Sequence, residues 1–182
     1  MGELKQLLPY GDKTLVEQSI HNLLGAQVDQ VVVVLGHAWE RVSERIAHLP
    51  VTPVVNEAYK QGMLSSIKCG VRALKPPTRA FLIALGDQPH IPPSVINRLI
   101  AAYRQGTHSI VIPKYEGRRG HPILLDGKYR DEILRADDAS PLGLNQVIRS
   151  HAPDILEVSV DSSAVIQDID TREDYERMKA NR

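Results

Sequence analysis

Carboxylates stand at two places where apolar runs give way to polar turns. Asp87 closes the run AFLIALGD inside the stretch LGDQPHIP, and Asp168 and Asp170 stand two apart in DIDTRED. A lone carboxylate at a strand end suits a hard cation such as magnesium. That ion takes one or two carboxylate oxygens and shares its remaining positions with phosphates and water. Aspartate is also a common turn and helix-capping residue, so the type alone leaves both roles open. In an extended segment Asp168 and Asp170 share a face and could supply the second metal contact. Equally, Asp170 or Thr171 could be the N-cap of the last helix, with Glu173 or Asp174 completing a capping box.

Two further stretches carry groups suited to anions. QGMLSS places Gly62, Ser65 and Ser66 at the start of a helical pattern, where free backbone N–H groups and hydroxyls suit a phosphate, a ribose or a base edge. An ordinary helix N-cap reads the same way. GRRGHP gathers Gly117, Arg118, Arg119, Gly120 and His121; guanidinium forks match phosphate oxygens, and a solvated basic loop would look alike. Lys5 is a single loop lysine. His90, Cys69 and Trp39 give no chemical signal. No Ser-His-Asp arrangement, Rossmann glycine fingerprint or P-loop occurs, which removes support for hydride transfer or ATP hydrolysis by those routes.

These residues need a scaffold that brings strand ends together. VDQVVVVLG (28–36), VTPVVN (51–56), AFLIALGD (80–87) and HSIVIP (108–113) read as strands buried on both faces. Helical patterns over 14–26, 38–48, 63–74 and 92–105 separate them, the last opened by Pro92 and Pro93. That alternation predicts βαβ units with a parallel sheet, whose ligands bind at the carboxyl ends of the strands. YEGRRGHPILLDG reads as a loop or hairpin inserted at the sheet's edge. Helices over 128–135 and 141–150, a strand over 155–160 and a closing helix over 171–180 complete the chain. No buried strand precedes the first helix.

The 182 residues suffice for a single domain, 1–182. Lys plus Arg (22) equals Asp plus Glu (22), so no electrostatic case arises for nucleic acid or membrane as partner. One cysteine, no zinc spacing, no membrane-length apolar run and no secretory signal point to a cytoplasmic setting.

KQLLPYGDKTLVEQSI, NEAYKQGMLSSIKCG, LGDQPHI, PKYEGRRGHPILL and DIDTREDYE occur in this order. Together they resemble the molybdenum cofactor nucleotidyltransferases, the MobA-like NTP transferases, and most of all their cytidylyltransferase branch. The resemblance implies a Rossmann-like three-layer α/β fold with a mostly parallel sheet and a small inserted hairpin. It implies magnesium-dependent transfer of CMP from CTP, or less favourably GMP from GTP, to the phosphate of a molybdopterin-type acceptor, with release of pyrophosphate. Carried over by motif, Lys5 contacts the triphosphate and with Asp87 forms the catalytic pair. Asn56, Gly62, Ser65 and Ser66 line the nucleotide pocket. Asp87 holds the metal with Asp168 or Asp170 nearby, and Arg119, Gly120 and His121 face the acceptor. A molybdoenzyme is the protein partner that an escort role would imply, and a second copy of the chain is a further candidate partner.

Three departures accompany the resemblance. The family's opening strand and loop, of the form L-A-A-G-x-S-x-R-M-G, are represented here only by Met1 and Gly2. Without that strand, two neighbours are expected to stand unpaired beside an apolar slot. LRADDASPLGLNQVI (134–148) stands where a Gly-Asp and a Gly-Ala-Arg are usual, and Arg172 replaces a frequent proline. These departures define two alternatives: a non-catalytic cofactor-binding or escort protein for molybdoenzyme maturation, and a related transferase with a different phosphorylated acceptor.

Overall fold

A computed structural model describes residues 4–169 and 171–180. A short hairpin, β1 (Pro9–Tyr10) and β2 (Lys13–Thr14), leads into α1 (Leu15–Leu24). Thr14 and Glu17 form a capping box there: the Thr14 hydroxyl accepts from the Glu17 N–H, and the Glu17 carboxylate accepts from the Thr14 N–H. Then follow β3 (Val32–Leu35), α2 (Trp39–Ile46), β4 (Thr52–Val55), α3 (Met63–Ala73), β5 (Ala80–Ile83) and α4 (Pro93–Arg104). The remainder comprises β6 (Ile110–Tyr115), β7 (Arg118–Arg119), β8 (Ile123–Asp126), α5 (Arg130–Arg135), α6 (Asn145–Ser150), β9 (Ile155–Ser159) and α7 (Arg172–Ala180).

The strands are buried by period-2 alternation. Phe81, Ile110, Ile112, Ile123 and Leu125 meet Leu64 and Val71 of α3 and Ile133 of α5 on one face. On the other, Val111 and Leu124 meet Val95, Ile96, Leu99 and Ile100 of α4. Each fully buried side chain of this kind contributes about 1.5–3 kcal/mol. Helices therefore cover both faces, the layered α/β architecture expected from the alternation of runs.

The sheet departs from expectation in one respect and meets it in another. β8 is not an edge hairpin: it lies between β5 and β6, antiparallel to both. Ile123, Leu124 and Leu125 are buried on both faces, and three consecutive buried residues in so short a run carry no period that separates an internal strand from a loop. β6 pairs β9 in parallel and β7 antiparallel through the Glu116–Gly117 turn. The expected gap is present. Among the described residues β3 pairs only with β4, in parallel, and β5 only with β8, so the β3–β4 pair and the five-stranded sheet are separate. Helices bridge them. Val16 and Ile20 of α1 pack with Leu35 while Leu23 joins the cluster around Val111, and Gly70 of α3 lies against Val34 while Val71 shares the cluster of Phe81.

Candidate active site

The turn after β5 collects the charged groups. Lys5 Nζ lies 2.6 Å from Asp87 Oδ2, with each side chain about one-fifth exposed. Next in sequence, Gln88 is buried and donates through Nε2 to Asp168 Oδ1 at 2.9 Å and to the Gln167 carbonyl at 3.3 Å. Asp168 is thereby held beside the Asp87 turn. The capping reading of the DIDTRED stretch holds at Thr171 and Asp174, which form the capping box of α7, and those bonds hold Asp174 down to about 2. Asp168 is left facing the turn. Asp170 lies outside the described residues.

His121 enters this group from the hairpin. Its N–H donates to the Val165 carbonyl at 2.8 Å, and Gly120 packs so tightly there that an added Cβ would meet the Val165 oxygen at 2.0 Å. Burial pushes the His121 imidazole below the ordinary histidine range, against the pull of Asp168 and Asp87. His90, half-buried and near Asp87, is shifted down for the same reason. Two neutral imidazoles thus flank two carboxylates and one ammonium, and the neutral rings offer hydrogen bonds rather than charge.

A second cluster occupies the carboxyl end of β4. Asn56 is buried; its Nδ2 donates to Ser65 Oγ at 2.9 Å and Ser66 Oγ at 3.0 Å, and its Oδ1 accepts from the Ala58 N–H at 3.1 Å. Ser65 Oγ in turn reaches the carbonyls of Ala58 and Gly62. Asn56 and Ser65 therefore hold the turn, while Gly62, at a φ of 103° that favours glycine, starts α3 with no side-chain cap. The first-turn N–H groups of α3 have no intrahelical partners. A cleft of about 320 Å³ adjoins, lined by Gly36, Trp39, Val55, Asn56, Glu57 and Tyr59. The larger cleft, about 540 Å³, lies between Thr14 and α2 and touches none of the residues singled out by sequence.

Arg119 stands apart. Its Nε donates to Glu157 Oε1 at 2.7 Å, and Lys114 Nζ reaches the other oxygen at 2.5 Å, an ion group on the β6–β7–β9 surface rather than at Asp87. Sequence reasoning missed Gln88 and His90. Their only signal was proximity to Asp87 in a turn rich in polar residues.

The set fits a hard cation as follows. Among the described residues no three His, Cys, Asp or Glu side chains converge on one point. Asp87 and Asp168 both act electrostatically on His121, and the Lys5 ammonium on Asp87 shows that the position accepts positive charge. A cation there would complete its shell with ligand oxygens, as magnesium does with substrate phosphates.

A model of the MobA-like NTP transferase domain matches residues 1–155. The chain belongs to that family. It is 26% identical over 176 residues to the molybdenum cofactor cytidylyltransferase of Escherichia coli (strain K12), covering 96% of this chain and 86% of that protein. It is 31% identical over 182 residues to the nicotine blue oxidoreductase of Paenarthrobacter nicotinovorans, covering 96% and 87%. The manganese complex of Rv0371c from Mycobacterium tuberculosis H37Rv superposes with a TM-score of 0.81 at 27% identity, over 96% of this chain and 90% of that one. The MobA-like chain is thus an enzyme of the nucleotidyltransferase class with the Rossmann-like fold. No helix among its described residues is long and apolar enough to cross a membrane.

Proposed function

We propose that the chain is a magnesium-dependent cytidylyltransferase that moves CMP from CTP, with GTP the poorer donor, to the phosphate of a molybdopterin-type acceptor. The observation that carries this reading is the Lys5–Asp87 pair, with Asp168 and His121 gathered around it at the end of β5. In the reaction an acceptor phosphate oxygen forms a bond to the α-phosphorus, the bond to the bridging oxygen breaks, and pyrophosphate leaves with the electron pair. Asp87 and Asp168 would hold the magnesium ion, which supplies neutralisation of the phosphate charge. Lys5 lies where its ammonium can pass from Asp87 to a triphosphate oxygen. The α3 N-terminus at Gly62, with Ser66, offers N–H and O–H donors to the nucleotide. Neutral His121 orients the acceptor by a hydrogen bond. The E. coli relative supports CTP and the molybdenum cofactor, and the manganese-bound relative supports a divalent cation.

The test is CTP-dependent pyrophosphate release with molybdopterin and magnesium. Asp87→Asn is expected to lower turnover by about 100-fold or more while the urea midpoint stays near that of the parent chain. Full activity in that variant rejects the assignment of Asp87. A second reading, transfer to a different phosphorylated acceptor, is favoured by the 134–148 segment. Lys68 pins that segment from α3, donating to the Ala136 carbonyl at 2.5 Å and to Asp138 Oδ2 at 2.8 Å. Turnover with sugar or alcohol phosphates in place of molybdopterin would select that reading.

A further inference from the structure

The larger cleft, about 540 Å³, holds none of the groups assigned to nucleotidyl transfer. Leu7 and Thr14 line it ahead of α1; Arg41, Glu44, Arg45 and His48 line it from α2 and the turn that follows. Its size suits a small organic molecule, since ligand clefts usually measure about 300–1,000 Å³. Arg41 and Arg45 stand one helical turn apart, and His48 follows one turn later, so their side chains share a face. That face is free of packing duty, because α2 meets the core through Val42 and Ile46.

Arg45 is held from behind. Glu17 of α1 is buried, and its Oε2 accepts from the Thr14 N–H at 2.8 Å, the Thr14 hydroxyl at 2.8 Å and Arg45 Nε at 2.9 Å. Burial pushes the Glu17 carboxyl up, but the bonds from Thr14 and Arg45 outweigh it and leave the group below the ordinary carboxylate range. The carboxylate thus fixes one edge of the Arg45 guanidinium. Its terminal amino groups meet no protein acceptor among the described residues, and Arg45 lines the cleft where Glu17 does not. Arg41 is the more telling residue. Arg45 and His48 lie at the carboxyl end of α2, where cations complement the helix dipole, so stability alone accounts for them. Arg41 lies in the first turn, where the dipole opposes a cation. Among the described residues it has no hydrogen-bond or ion-pair partner, not even Glu44 three positions on. Stability does not account for Arg41; a ligand does.

Glu17 and Glu44 nearly balance the two guanidinium charges, so the cleft attracts anions weakly at long range. What it offers is directed N–H donors on two planar forks. A carboxylate has two oxygens and saturates one fork; a phosphate monoester presents three and can engage both. Leu7 adds no charge, and the Thr14 hydroxyl is already spent on Glu17. We propose that this cleft is a second binding site, for a small phosphate monoester whose phosphate lies between Arg41 and Arg45 and whose uncharged body lies toward Leu7. Neither Lys5 nor Asp87 lines it, and the proposal is independent of the nucleotidyl-transfer reading. Leu7 and Lys5 share one short turn, so a bound molecule would rest on the element that carries Lys5.

The test titrates phenyl phosphate into the whole chain at constant ionic strength and follows the backbone amides of residues 41–48 by NMR. Saturable shifts are expected there, half-complete at about 1 mM. Arg41→Gln is expected to weaken binding about tenfold and to leave the thermal midpoint near that of the parent, because Arg41 has no protein partner to lose. Phenol, which has the ring without the phosphate, is expected to give no saturable shift, and benzoate to bind about tenfold more weakly than phenyl phosphate. Lys5→Gln is expected to leave the shifts unchanged. The proposal is overturned by the absence of saturation at these amides, by undiminished binding in Arg41→Gln, or by equal binding of phenol or benzoate. Loss of the shifts in Lys5→Gln also overturns it, since the phosphate would then sit at the Asp87 turn.

Discussion

Gly120→Ala is the substitution whose cost the structure sets most directly. The new Cβ would stand 2.0 Å from the Val165 oxygen and 2.5 Å from its carbonyl carbon, where contacts under 3.0 Å are essentially never seen. Both atoms are backbone, so no side chain can swing aside, and the two segments must part by about 1 Å. The neighbouring bond from the His121 N–H to the same oxygen, 2.8 Å long, would lengthen to about 3.8 Å and be lost. Overpacking of this kind costs about 1–3 kcal/mol, and a buried donor left unpaired adds about 1 kcal/mol or more, for a total of about 2–4 kcal/mol. Urea unfolding of parent and variant measures this difference. A loss under about 0.5 kcal/mol would refute the reasoning, because it would show that the hairpin and the Val165 segment are not in contact as described. The role this assigns to Gly120 is close approach of two backbones.

Two further outcomes follow from buried groups. Folding favours the neutral form of His121, so the unfolded chain binds the extra proton, and stability is expected to fall as pH drops below the ordinary histidine value of 6.5. Thermal midpoints at about pH 7.5 and about pH 5.5 should differ less in His121→Asn than in the parent, and an unchanged difference would count against a buried neutral imidazole. Lys68→Met removes the buried donor to Ala136 and Asp138; it is expected to cost about 1–3 kcal/mol in urea unfolding and to speed exchange at the Ala139 N–H, and a neutral substitution would show that the 136–142 segment is held by other contacts.

The helices and parallel strands were legible because β-branched runs alternate with 3.6-period segments: the run at 28–36 contains β3, and the pattern over 92–105 contains α4. The partner of α7's cap was legible for the same local reason, since Thr171 and Asp174 are three apart. β8 was not, because a short run buried on both faces has no distinguishing period. In the site, Asp87 and Lys5 are 82 positions apart, and only the family resemblance, not spacing, suggested that they meet. The separation of Arg119 from His121 was hidden because residues two apart in a tight hairpin can serve different surfaces, one an ion group with Glu157 and the other the carboxylates. Gln88 was passed over because an uncharged amide announces nothing until its partner, 80 residues on, is seen.

Asn56 has one more consequence. Both of its amide hydrogens and its carbonyl oxygen are engaged within the turn that opens α3, in a buried setting. Such a turn has little conformational freedom left to lose. A ligand arriving at the α3 N-terminus would meet donors already aimed, so its binding would not be opposed by the roughly 1–2 kcal/mol per residue that ordering a loose backbone costs. Affinity at that end of the molecule would then be governed by how well the ligand displaces water from fixed groups, and changes at Asn56 would be felt as slackness in the pocket rather than as the loss of a contact.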